Sequence, residues 1–346
     1  MADLTHLIQR IYTHLKPIEN QTMHFVVVGA GGTGGYLLPN LTRQVALANE
    51  KRMSVSPNEP AHTITLIDAD DVESKNLVRQ NFVEADIGKN KAEVLANRYG
   101  RSFKQPINFM AKYLSSPSEL AEIVSSLTAN QERPLAIVID CTDNNKTRLL
   151  IHEAIKWHMG VETVSISSGN EEKAGQVICS FQNMGNRKSN FRRISGLKEV
   201  VRTLDTPMFY DIFPTSPIDK LPNELSCAEA AVSAPQNIHT NMTAANIIFG
   251  FVNKLINHEP ISELAVFFDV DTFGHKVYRH TETDLKELLS LTKDNKAMRI
   301  YTPDGNGSDT VIAPRWSEVE EMARLKKEEE AKLVQEELAA ITSSQG

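Results

Sequence analysis

The 346-residue sequence is poor in cysteine. Its three cysteines, Cys141, Cys179 and Cys227, stand far apart, and no CxxC pair occurs. That spacing implies neither a zinc ribbon nor a disulfide framework. No apolar run approaches the ~18 residues a membrane span requires. The first ten residues, MADLTHLIQR, lack the long apolar centre of a signal peptide. A basic excess is missing as well: the formal net charge is −7, which argues against a general nucleic-acid binder. From these absences we expect a cytoplasmic protein in a reducing setting, with no nucleic-acid and no membrane partner. Apolar residues make up 41% of the chain, enough to bury a sizeable core, and the length suits one large α/β domain or one domain with appendages.

What the sequence does have is a series of strands alternating with helices. Leu4, Leu7, Ile8, Ile11, Tyr12 and Leu15 recur at helical spacing, so residues 1–22 are expected to form an N-terminal helix. Residues 24–28 read as a buried strand, 29–35 as a turn and 36–49 as the helix after it. The polar stretch 50–62, with two prolines, reads as an exposed loop. Further strands are expected at 63–67, 108–112, 135–139, 163–167, 175–181, 264–269 and 276–279, and helices at 89–99, 146–158 and 244–257. Such alternation predicts a doubly wound, mostly parallel sheet that holds ligands at the strand C-termini. Residues 183–226 are polar and turn-rich and are expected to be a long crossover loop. Residues 281–346 form a C-terminal extension, in which 317–340 read as a charged, solvated helix.

The turn at 29–35 is GAGGTGG, so Gly29, Gly31 and Gly34 satisfy GxGxxG between a strand and a helix, with Gly32 between them. Glycine permits positive φ and close backbone approach, and a helix start offers free N–H groups to phosphate. By itself this loop does not separate NAD from ATP. The segment LIDADDVESKNLVRQNFVEADIGKNKAEVL, residues 66–95, adds the discrimination. Asp68 ends a strand and can accept ribose hydroxyls. Arg79 and Lys91, with Asn76 and Gln80 nearby, supply the cations that suit a triphosphate better than NAD. After the fourth strand comes DCTDNNKTR, where Asp143 can hold Mg2+ against phosphates and Arg148 can pair with an acid or a phosphate.

These motifs, GAGGTG, DADDVESKNLVRQ, DIGKNKA and DCTDNNKTR, resemble those of the ThiF/MoeB/E1 superfamily of ubiquitin-like-protein-activating adenylyltransferases, over about residues 24–280. Asp68, Asp70, Asn76, Arg79, Gln80, Asp86, Gly88, Lys91, Asp143 and Asn144 all fall into register with it. The later segment SCAEAAVSAPQNIHTNM is similar to plasmid- and phage-borne members of the PRTRC-system type. The resemblance implies a Rossmann-like adenylation domain at residues 23–280. It also implies ATP and Mg2+ as cofactors, bound by Gly29, Gly31, Gly32, Gly34, Asp68, Asp70, Asn76, Arg79, Gln80, Lys91, Asp143 and Asn144, with Asp143 on the metal. The expected activity is adenylation of the C-terminal glycine of a ubiquitin-like protein, with an E2-like protein as a further partner and a homodimer as the assembly. A gene neighbourhood with E2-like, ubiquitin-like and JAB-protease genes would set it in a bacterial conjugation pathway, antiphage defence being one such setting. Three departures matter. The two zinc-binding CxxC pairs of sulfur-carrier activators are absent. The family's N-terminal arginine has only Arg10 as a counterpart, and Arg10 reads equally as a helix-surface residue. The stretch 50–62 is longer than the usual connection.

A thioester step requires a nucleophilic cysteine. Cys141 fits the DCTDN motif and reads as packing, and Cys179 lies in an apolar strand. Cys227 precedes AEAAV at the edge of the crossover loop and is the candidate nucleophile, or else a small buried hydrophobe. An adenylating enzyme without any thioester step, acting on a peptide, a sulfur carrier or tRNA, satisfies the same motifs; an inactive scaffold would have lost them. His239 and His275 read as structural or surface residues. The basic run RKSNFRR at 187–193 reads as a partner-docking or a solvated loop.

Overall fold

The fold is described from a computed structural model. The structure describes residues 21–182, 206, 208–213, 237–279, 284, 287, 288 and 324. Residues 1–20, Arg10 among them, Cys227, the basic run 187–193 and most of the expected crossover loop lie outside the described residues. So does the charged C-terminal helix apart from Arg324.

Eight strands form one sheet: β1 (Thr22–Val28), β2 (Thr63–Ile67), β3 (Ile107–Met110), β4 (Pro134–Asp140), β5 (Thr163–Asn170), β6 (Ala174–Gln182), β7 (Glu263–Asp269) and β8 (Gly274–Arg279). Their spatial order is β3-β2-β1-β4-β5-β6-β7-β8. The pairs β3·β2, β2·β1, β1·β4 and β4·β5 are parallel, and the remaining three are antiparallel. Among the described residues the α-helices are α1 (Gly32–Val55), α2 (Lys91–Ser102), α3 (Pro117–Thr128), α4 (Asn145–Glu153), α5 (Phe209–Ile212) and α6 (Ile238–Ile256).

The strand β1 is buried along its whole length, as a central parallel strand covered on both faces must be. Its side chains alternate between two cores. Met23, Phe25 and Val27 pack with Leu37, Leu41 and Val45 of α1, Leu95 of α2 and Ile248 and Val252 of α6. Val26 and Val28 pack with Leu120 and Val124 of α3 and Leu150 and Ile151 of α4. The chain therefore crosses one face after β1 and β2 and the other before and after β4. The order reverses between β1 and β4, which opens a crevice at their C-terminal ends.

The expected loop at 50–62 is corrected: α1 continues to Val55. Its last turns are held where the sequence suggested solvent. Arg52 pairs with Glu59 at 2.8 Å and donates to the carbonyl of Pro60 at 2.9 Å, so the following turn folds back on the helix. His62 is buried. Its backbone N–H donates to Asn49 Oδ1 at 2.8 Å, and Asn49 Nδ2 donates to its carbonyl at 3.0 Å. The strand β1 starts at Thr22, inside the range expected for the N-terminal helix. No element is expected at 117–128 from the sequence; Ser116 caps a helix there, with Pro117 in the first turn and Leu120, Ile123 and Val124 buried. The helix expected at 146–158 changes to π-helical geometry at Ala154–His158.

Candidate nucleotide site

The turn after β1 is forced by its neighbours. Gly29 has φ +99°, and a Cβ there would stand 2.8 Å from the carbonyl oxygen of Cys141. Glycine alone tolerates both conditions. The helix α1 then begins at Gly32 with Gly31 at its N-cap and no side chain capping it. The helices α2, α3, α4 and α6 are each capped by a side chain of their own, from Asn90, Ser116, Asn144 and Asn237. The first N–H groups of α1 thus lack the acceptor that a capping side chain gives the others.

These groups open onto a cleft of about 890 Å³, its mouth included, which runs along the strand ends in spatial order. Lys112, Tyr113 and Leu114 follow β3, Asp68 and Asp70 follow β2, and Gly29, Gly31, Gly32 and Thr33 follow β1. Asp143 and Asn144 follow β4, and Ser168 and Asn170 end β5.

Asp68 is the hinge of the acidic wall. Its carboxylate accepts the N–H of Ala30 at 2.6 Å and of Asp70 at 2.8 Å, which ties β2 to the glycine turn. Burial, and then the charge of Asp70, push its pKa up to about 6 against the opposing pull of Lys91 and the two backbone donors. Burial also raises Asp70, but Lys91, 2.8 Å away, and the hydroxyl of Tyr113 together hold it below the ordinary carboxylate range. Tyr113 is itself pushed up, by burial and then by Asp70, so its phenol stays protonated and donates. The Lys91 side chain is only 8% exposed, so its charge is directed at Asp70 and the cleft.

The other wall is built on Asp140. It is buried, and its carboxylate accepts the N–H and hydroxyl of Thr142, the hydroxyl of Ser167 and Nε of Arg148. Arg148 also donates to the carbonyls of Thr142 and Ser168 and to Asn145, and lies over the ring of Phe209 at 4.8 Å. The acid Arg148 pairs with is therefore a structural one, and the pair fixes the loop that carries Asp143. Asp143 stands exposed on the cleft wall, and Asn144 is turned inward to cap α4. Cys141 packs against the core beside the glycine turn, and burial followed by the charge of Asp140 pushes its thiol well up. Cys179 is fully buried and pushed up in the same way, burial first and then Glu263.

The cleft thus brings together Gly29, Gly31, Gly32, Asp68, Asp70, Gln80, Lys91, Asp143 and Asn144. Gly34, Asn76 and Arg79 lie outside its lining. Gly34 sits within the first turn of α1. Asn76 is buried and accepts the N–H of Glu73 at 2.8 Å, shaping the turn that presents Gln80. Arg79 occupies the same turn and is half-buried. Asp86, buried, pairs with Arg98 of α2, and Gly88 has φ +80°. Lys112, Tyr113 and Asn170 were not singled out from the sequence. Their signal was position: each falls just after or at the C-terminal end of a strand, where such sheets hold ligands.

No curated protein matches the chain. Among solved structures, PaaA is similar at 18% identity and a TM-score of 0.45, over 78% of this chain and 66% of that one. E. coli MccB with ATP is similar at 18% identity and a TM-score of 0.44, over 79% of this chain and 66% of that one. E. coli MccB with AMPCPP and MccA is similar at 17% identity and a TM-score of 0.45, over 79% and 66%. The chain thus spans just under two thirds of the length of these structures, and resemblance at this level concerns the fold alone. The model of the ThiF family matches residues 13–273, and this chain is a member of the ThiF family.

Proposed function

We propose that this chain is an E1-like adenylyltransferase. In this reading it binds ATP in the cleft and activates the C-terminal glycine carboxylate of a ubiquitin-like protein. The observation that carries the reading is the uncapped start of α1, opening on a cleft lined by Asp68, Lys91 and Asp143. An uncapped helix start suits an anion. Buried Gln80 Oε1, on the same wall, has no hydrogen-bond partner among the described residues, as expected where a polar ligand belongs. Asp68 would accept the ribose hydroxyls, and the N–H groups of Gly31 and Gly32 with Lys91 would hold the phosphates; Arg79, outside the cleft lining, would have to reach them from the turn that carries Gln80. Among the described residues no three metal-binding side chains converge. That suits Mg2+ held by one carboxylate, Asp143, together with phosphate oxygens and water. Bound there, the ion would neutralise phosphate charge.

The chemistry follows from charge. An oxygen of the substrate carboxylate forms a bond to the α-phosphorus, the bond from that phosphorus to the bridging oxygen breaks, and pyrophosphate leaves. Both reactants are anions, so positioned cations supply the stabilisation. The thiolate of Cys227 would then displace AMP from the acyl adenylate, giving a thioester for an E2-like partner. The homodimer and the bacterial conjugation setting belong to the same proposal.

A second reading, adenylation without a thioester, holds if Cys227 is not the nucleophile: burial raises the thiol pKa of both described cysteines, Cys179 fully buried and Cys141 half-buried beside the cleft. The thioester step therefore rests on Cys227 alone. Pyrophosphate exchange with ubiquitin-like proteins encoded nearby tests the first reading. ATP-dependent exchange supports it, and none with any partner rejects it. A reducible adduct that persists in Cys227→Ala removes Cys227 from the scheme and leaves adenylation standing.

A further inference from the structure

The start of α1 is held from behind by α6. Asn241, in the first turn of α6, is 1% exposed, and its Oδ1 accepts from the hydroxyl of Thr33 at 3.4 Å and from Asn170 Nδ2 at 3.3 Å. Asn170 Nδ2 also donates to the Thr33 hydroxyl at 2.7 Å. The three residues join α1, β5 and α6 at one point. A Cβ built on Gly32 would stand 2.1 Å from Asn241 Nδ2, far inside contact distance. Gly32 therefore has no room for a side chain because Asn241 occupies that space. Asn241 Nδ2 in turn has no hydrogen-bond partner among the described residues. A buried donor without an acceptor is costly. Here it stands against the start of α1, which also lacks a side-chain cap. Asn170 Oδ1, an acceptor in the same trio, also lacks a partner among the described residues; it is the donors against the helix start, those of α1 and Asn241 Nδ2, that suit a site expecting negative charge.

We propose that Asn241 is a positioning residue for the glycine loop. It fills the space left by Gly32, fixes the first turn of α1 through Thr33, and adds a partial positive charge behind it. The part of this inference that concerns phosphate rests on the nucleotide reading given above.

The experiment combines Gly32→Ala, Asn241→Ala, the double variant and Asn241→Asp, with thermal unfolding and calorimetric titration of Mg–ATP on the full chain. Gly32→Ala should lower the melting temperature, and adding Asn241→Ala should restore part of the loss. Coupling between touching residues is worth roughly two- to a hundredfold in the folding equilibrium. Additive losses would overturn the steric claim. Asn241→Asp buries a carboxylate without a cation and should lower the melting temperature; at a temperature where both variants stay folded, its Mg–ATP affinity should fall about tenfold below that of Asn241→Ala, a carboxylate there opposing phosphate. Equal affinity in Asn241→Asp and Asn241→Ala would overturn the electrostatic claim, since a purely structural residue would not separate the two folded variants. If the wild-type chain binds no Mg–ATP, the nucleotide reading and the electrostatic claim both fail, and the melting cycle alone decides whether Asn241 positions the loop.

Discussion

Asn81 donates a 3.1 Å hydrogen bond to the carbonyl of Gly35, the acceptor that Pro39 leaves without its helical donor. Proline inside a helix removes the N–H that would reach the residue four before it. A side chain from the segment after β2 replaces that N–H, and the same amide donates to the hydroxyl of Tyr99 at 2.7 Å. The break in α1 thereby anchors the segment that carries Gln80.

Replacing Asn81 by Ala should cost about 1–3 kcal/mol, the usual loss when a half-buried donor is removed and its acceptors stay. In a Pro39→Ala background the helix regains its own donor, and the cost of Asn81→Ala should shrink. Denaturant unfolding of the four proteins checks this. Equal costs in both backgrounds would show that Asn81 does not stand in for the missing N–H.

The Asp140–Arg148 pair is 3.1 Å long, with side chains 1% and 7% exposed. Arg148→Ala should destabilise the fold by about 3–5 kcal/mol, because a buried carboxylate is left unpaired. Chemical denaturation measures it. A loss below about 1 kcal/mol would place the pair with weak surface bridges.

Asp68 carries a folded-state pKa of about 6, above its unfolded value of 3.8. The folded state therefore binds the proton more tightly than the unfolded state. Its contribution to stability is greatest below pH 3.8 and declines as pH rises through about 6. The stability difference between wild type and Asp68→Asn, followed by denaturant unfolding, should shift against wild type over that window. Mg–ATP affinity should move the other way and rise with pH, since only the ionised carboxylate accepts two ribose hydroxyls. A flat affinity profile would remove Asp68 from ribose binding.

Lys91→Gln should weaken Mg–ATP binding about 10- to 100-fold, the range for losing a hydrogen bond with a charged partner. Tyr113→Phe leaves Lys91 in place but removes the hydroxyl that holds Asp70 down, so the pKa of Asp70 should rise. Carbon-13 titration of the Asp70 carboxylate reads that shift.

In Cys227→Ala, Cys141 and Cys179 should both resist a thiol reagent at pH 8 and both react once the chain is unfolded. Rapid labelling of the native variant would show that burial does not silence Cys141.

The strands are legible wherever burial on both faces demands an unbroken β-branched or aromatic run, as in FVVV of β1 and IVI of β4. The short strand β3 was misplaced by one or two residues, since Asn108 and Phe109 are exposed and carry no such pattern. The last turns of α1 carry no local helical signal, because Arg52 finds its partners at Gln21, Thr22, Glu59 and Pro60. The glycine turn and its downstream charges were readable as a motif, but a motif does not say where side chains face. Gln80 and Lys91 reach the cleft, while Asn76 spends its amide on its own turn. The contacts of Asn170 and Asn241 with Thr33 are not legible in the sequence, because they span separations of 137 and 208 positions.

That last separation has a consequence during synthesis. A nascent chain that has emerged as far as β6 already holds every parallel strand and the glycine turn, but not α6. The contact from Thr33 to Asn241 closes only when α6 leaves the ribosome, and contacts so far apart in sequence form late. The growing chain therefore carries an unbraced glycine loop for most of its translation.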